Sequence, residues 1–333
     1  MIRESTKTKE QVNKKLRKLK IYRIDFRRNR IMKKFKVTNS YSAPDFDINR
    51  ENFECETGNK QPFQQKNQQG KFREYAICPP CLNSIQIIGL AHGSKCEPYG
   101  KHTGKTIKGF PDFNYRKYQF CPYADHRKHP NDDERLNIID NDVVDLYNLL
   151  RDQFDRVVYV VSTTLGIRGS DAFWKNALRQ FLENEMYCFP WLTTSNLPYL
   201  FAYKGLHQQN LLGQKFKINS PLYNVLNTHP NVSFASSNDV NYGRLENKDH
   251  FLSLQMRFSQ FKQCIDENDR LRQTMQVNID DLKTNNVLYT QLITFDENFF
   301  ERLIFKSSNS NKRQMKLLEI AKEMMPDIKP DNE

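Results

Sequence analysis

ICPPCLNSIQIIGL, residues 77–90, decides how the first half of this chain is read. Cys78 and Cys81 bracket two prolines, and a short C-x2-C turn points both sulfurs at one centre. Tetrahedral zinc takes two of its four ligands in this way. Around the pair, residues 76–130 are crowded with Pro and Gly (PP, HG, PYG, TG, KGFPDF, CPY, HP) and show little periodicity. A segment so poor in apolar surface needs a cross-link to fold, and a bound ion supplies one.

Working outward from Cys78 and Cys81, four ligands can be assembled in more than one way. The preferred set adds Cys121, which opens a second Cys-Pro step, and either His102 or Cys96. A compact alternative adds His92 and Cys96. Cys121, His126 and His129, spaced C-x4-H-x2-H, could seed a second ion with Cys55. The competing account is that these are unligated thiols, since free cysteine often behaves as a small buried hydrophobe. Nine of the fourteen Cys and His residues fall between positions 55 and 129, which favours a metal. An odd count of seven cysteines and no apolar leader segment argue against a disulfide framework.

A catalytic zinc keeps one position open and has a carboxylate nearby. Glu97, Asp112 and Asp125 are the nearest in sequence, but the donor set is thiolate-rich, so the expectation is a closed, structural zinc site. The deaminase pattern is absent because no Glu follows any of these histidines by two positions. Gly104-Lys105-Thr106 resembles the end of a phosphate loop, yet no Gly stands at the required distance before it. His102, Asn114 and His126 carry the residue types of an HNH-like nuclease, a metal-dependent alternative, although the adjacent histidine pair of that motif is missing.

The formal charge of +12 is localised. Residues 1–36 hold fifteen Lys and Arg against three acids, and the remaining 297 residues balance to zero. Lys14, Lys15, Arg17, Lys18, Lys20, Arg23, Arg27, Arg28 and Arg30 are the candidate phosphate contacts, interleaved with Tyr22, Phe26 and Phe35. Cations that release counterions from phosphates, with aromatics able to stack on bases, are the footprint of DNA or RNA binding. An anionic membrane surface would use the same charges, and a solvated tail is the bland account. From Met32 onward the chain reads like an ordinary globular start. No run approaches the ~20 apolar residues of a membrane span, so a cytoplasmic protein with no membrane insertion is expected.

These observations predict an α+β protein: a basic arm (1–36), a zinc-stapled, loop-rich N-terminal module with its linker (37–135), a larger mixed helix and strand domain (136–320) and a polar tail (321–333). Val143, Tyr147, Leu150, Phe154, Val157, Val161 and Leu165 recur at helical spacing, predicting one long helix capped by Asp140 or Asn141. The GIRG turn stops it, and Ser170 caps a second helix, making a long helical hairpin. RVVYVVSTT could instead be a strand, given its β-branched residues. LPYLFAYKGL, QKFKIN, FLSLQMRF, MQVNID and LYTQLITF read as strands; ENFFERLIF and KRQMKLLEIAKEMM read as helices. Trp174, Trp191 and Tyr199 are candidate anchors if the C-terminal domain binds protein partners.

Overall fold

The computed structural model describes residues 31–39, 43–67, 69–91, 93–94, 96–125, 131–248, 253–265, 271–305 and 313–331. The nine candidate phosphate contacts, together with His92, His126 and His129, lie outside the described residues. Among the described residues the protein is mixed helix and strand, with nine α-helices and four sheets, so the α+β class holds.

The N-terminal apolar core is built on an antiparallel sheet, β3-β4-β5-β6, formed by Gln64–Lys66, Phe72–Ile77, Ser84–Ile88 and Tyr99–His102. The short pair β1 (Lys34–Phe35) and β2 (Phe46–Asp47) closes it. Residues 31–36 are therefore part of the fold. Met32 bridges Gly100, Lys36 pairs with Ile77, and Phe35 is fully buried against Phe46 and Phe53. Gly100 is required here, because a Cβ would come within 2.9 Å of both Ile85 Cδ1 and Met32 Sδ.

Residues 37–75, in which no helical or strand period can be found and which therefore read as loop or linker, contain helix α1, Arg50–Thr57. Asn49 caps it through Asn52 N, and Gly58 ends it in the left-handed region. Only Phe53 and Thr57 of its eight residues are buried. Two inward positions are too few to leave an apolar stripe, which is why no helical period shows in the sequence. The polar β3 is an edge strand, where alternation is equally faint.

The larger core begins at Phe120 and includes most of the buried residues after position 145. The stripe that predicts one long helix is carried by two, α3 (Asn141–Asp152) and α4 (Phe154–Leu165), which break at Gln153. Asp140 caps α3, accepting from Val143 N at 3.0 Å. RVVYVVSTT is helical: α4 is packed against α6 (Leu197–Gly205), α8 (Glu297–Phe305) and α9 (Met315–Met324), so its valines are buried on several sides. Tertiary burial overrides the strand propensity of a valine run. Ser170 caps α5 (Asp171–Glu183) as expected, and α4 and α5 both pack on α6.

LPYLFAYKGL is the helix α6 and not a strand. Eight of its nine residues are buried, and a helix apolar all round has no polar face to reveal its period. Gly205 allows α5 to approach, since a Cβ there would stand 2.6 Å from the Ala177 carbonyl oxygen. The remaining strand readings hold: β8 (Lys215–Lys217) lies in a sheet ordered β7-β8-β10-β9, with β7 (Ile167–Arg168), β9 (Val232–Ser236) and β10 (Tyr242–Asn247). Strands β11 (Leu254–Ile265), β12 (Leu271–Asp281) and β13 (Asn286–Thr294) form an antiparallel meander. A short helix, α2 (Tyr115–Phe120), and α7 (Pro221–Asn227) complete the elements.

The chain end is not a free polar tail. Met325 is buried, Arg151 pairs with Asp327 at 2.5 Å, and Asp331 exchanges two hydrogen bonds with the Ile139 backbone. Just before α9, Arg313 grips the buried carboxylate of Asp155 with two hydrogen bonds of 2.7 Å. Trp174, Trp191 and Tyr199 are all core residues, so none presents the exposed ring that a partner anchor needs.

Candidate metal centre

The turn between β4 and β5 is closed by its own backbone. Cys78 N donates to Asn83 O at 2.9 Å and Leu82 N to Cys78 O at 2.9 Å, with Leu82 in the left-handed region. This curls Cys78 and Cys81 toward the same side. The pairing of Ile85 with His102 sets the end of β6 beside the turn, and Cys121 arrives as the residue that terminates α2.

The four side chains meet. One donor atom from each of Cys78, Cys81, His102 and Cys121 lies within 4.8 Å of the others. Cys78 Sγ is 3.7 Å from Cys121 Sγ, and Cys81 Sγ is 3.2 Å from His102 Nε2. A tetrahedral zinc with bonds of about 2.3 Å to sulfur sets its sulfurs about 3.8 Å apart, so the donors fit the ion. A disulfide does not fit, because bonded sulfurs stand about 2.05 Å apart.

Electrostatics point the same way. Burial pushes the Cys78 and Cys121 thiols well up. At Cys81 burial acts likewise but is outweighed by hydrogen bonds from Cys121 and Cys78 and by His102, so this thiol is held well below its usual value. Three buried thiols cannot all ionise together without a cation among them. A divalent metal supplies that charge, and Lys117, paired with Asp140 and Asp142, adds a positive charge near Cys81.

A surrounding shell aims the donors. Asn83 is buried and donates from Nδ2 both to Cys81 Sγ at 3.4 Å and to the Asn114 carbonyl at 3.0 Å, while its Oδ1 accepts from Asn114 N at 2.7 Å. It thus ties the β4–β5 turn to the start of α2. The His102 ring meets Tyr118 edge to face at 5.0 Å. Sequence reasoning passed over Asn83 because an Asn after a C-x2-C turn carries no spacing signal of its own.

Of the two candidates for fourth ligand, Cys96 is elsewhere. It is exposed, with Sγ 3.4 Å from Ser94 Oγ, and Cys55 is exposed on α1. Neither belongs to the described cluster. Of the nuclease trio, His126 lies outside the described residues; His102 faces the thiols, and Asn114 Oδ1 accepts from Lys117 N as the cap of α2.

Beside the centre lies a cleft of about 550 Å³. The two Cys-Pro turns line it through Pro79, Pro80 and Pro122, and β12, β13 and α8 line it through Gln273, Thr294 and Glu301. Trp191 Nε1 donates to the Phe120 carbonyl at 2.7 Å across this seam, joining α2 to the larger core. Nothing in the sequence marked the cleft, because its walls come from segments up to 267 positions apart.

No protein family, curated protein or solved structure matches the chain. No helix among the described residues is long and apolar enough to cross a membrane.

Proposed function

We propose that this is a zinc-stapled nucleic-acid-binding protein whose metal is structural and whose basic arm contacts phosphates. The observation that carries the zinc assignment is the four-donor cluster of Cys78, Cys81, His102 and Cys121. Zinc bound there would supply the charge that keeps three buried thiolates together and the cross-link that a loop-rich segment lacks. Four protein donors leave no open position for water, so the ion braces rather than reacts. Thiols kept reduced for metal also fit a reducing, cytoplasmic compartment.

Nucleic-acid binding is supported by the arm, whose charge excess equals that of the whole chain. Its cations would neutralise phosphates without reading bases. The test is titration of the full-length protein with single- and double-stranded DNA and RNA over a range of salt. Binding that weakens linearly on logarithmic axes supports the reading, and absence of binding to all four at low salt overturns it.

A further inference from the structure

Gln273 is 3% exposed and lines the cleft, yet its side-chain amide has no hydrogen-bond partner among the described residues. Buried amides are almost always satisfied by protein, water or ligand, so an orphan facing a cavity calls for a ligand group. Directly opposite on β11 stands Gln263, in register with Gln273, so the two amides leave the same face of the sheet. Glu301 enters the same cavity from α8. Its carboxyl makes no hydrogen bond or salt bridge with the described residues, and burial, opposed by Lys36 and Lys34 and reinforced by Asp45, pushes it up to about 7. Lys34 also lines the cavity.

An amide offers a donor and an acceptor side by side, the pattern that pairs bidentately with adenine; a carboxylate accepts from an exocyclic amino group. A lysine at the rim suits a phosphate. The volume falls within the range of small-ligand sites, about 300–1,000 Å³. We infer that the cleft binds one nucleotide with an amino-bearing base, adenine, cytosine or guanine, its base edge held by Gln273 and Glu301 and its phosphate near Lys34. This deepens the nucleic-acid reading and rests on it for the expectation that the nucleotide belongs to a strand. The same chemistry would bind a free nucleotide.

The test uses full-length, zinc-loaded protein and two probes: the four ribonucleoside monophosphates, and short single strands of one base each, followed by calorimetry. AMP, CMP or GMP should bind better than UMP, or strands of an amino-bearing base better than uracil strands. Gln273→Leu should weaken that binding by at least about tenfold while leaving the melting temperature equal or higher, because it removes an unsatisfied buried amide. Glu301→Ala should weaken it too. Free monophosphates that bind assign the cleft to a nucleotide ligand in its own right; strands alone assign it to a base of the strand. If both variants bind both probes as wild type does, or if Gln273→Leu lowers stability and leaves binding alone, the inference falls. Strand binding that keeps its affinity, base preference and salt dependence in Gln273→Leu would overturn the cleft assignment and leave the arm reading standing. Monophosphate binding without strand binding would do the reverse.

Discussion

Cys78 Sγ lies 3.7 Å from Cys121 Sγ, although 43 positions separate them. A metal that joins them closes a long loop rich in Pro and Gly, and the chain-entropy cost of closing such a loop is about 4 kcal/mol for a covalent link of that length. The purified chain should therefore contain one zinc. Chelation should lower the melting temperature by several degrees and expose residues 76–125 to protease before the helices after 140. Elemental analysis and limited proteolysis check this. A metal-free protein that melts like the native one would contradict it.

Cys121 and Cys96 separate the ligand sets. Cys121 is buried beside Cys78, whereas Cys96 is exposed next to Ser94. Cys121→Ser should lose the metal, and Cys96→Ser should keep it with unchanged stability. Retention of zinc by the first and loss by the second would move the site to the compact alternative with His92.

The contrast between these two cysteines shows what a sequence reveals. C-x2-C and a second Cys-Pro step are local patterns, so three of the clustered thiols could be read directly. The choice of His102 depended on the register of β6 against β5, a non-local pairing, and YGKH has no strand alternation to announce it. The same division runs through the fold. Helices that keep an exposed side, α3, α4 and α5, left a stripe, whereas α6 is buried all round and α1 hardly at all, so neither did. The cleft was invisible because its walls belong to no single pattern.

Asn83 should matter to the metal without touching it. Its amide holds Cys81 Sγ and the Asn114 backbone at once, and loss of such an orienting partner typically costs 10–100-fold in metal affinity. Asn83→Ala should weaken zinc binding by roughly tenfold or more in a competition with a chromophoric chelator. An unchanged affinity would show that the backbone turn alone positions Cys81.

Glu301 should make the fold less stable as pH rises. Its folded-state value, up to about 7, lies above the ordinary 4.5, so the folded protein holds a proton that the unfolded chain has released between these values. Stability from this group is full below about pH 4.5 and declines through pH 7. Glu301→Gln should be nearly neutral at pH 5 and stabilising by about 1–2 kcal/mol at pH 8, a figure reduced for partial solvent exposure. Denaturant melts of both proteins at the two pH values measure it; equal differences at both would remove the acid from the account.

The arm gives the last prediction, and the structure says where to cut. Met32 and Phe35 are buried and Lys36 is paired with Asp45 at 2.9 Å, so removal of residues 1–36 would open the N-terminal core. Removing residues 1–30 deletes twelve of the fifteen cations and spares that core. If about six of them meet phosphates on duplex DNA, the full chain should show a slope of about −5 for log affinity against log salt. The shortened chain should keep its zinc and its melting temperature, bind every sequence more weakly, and show a slope near zero. A shortened protein that binds as tightly, with the original slope, would place the phosphate contacts on the folded residues instead.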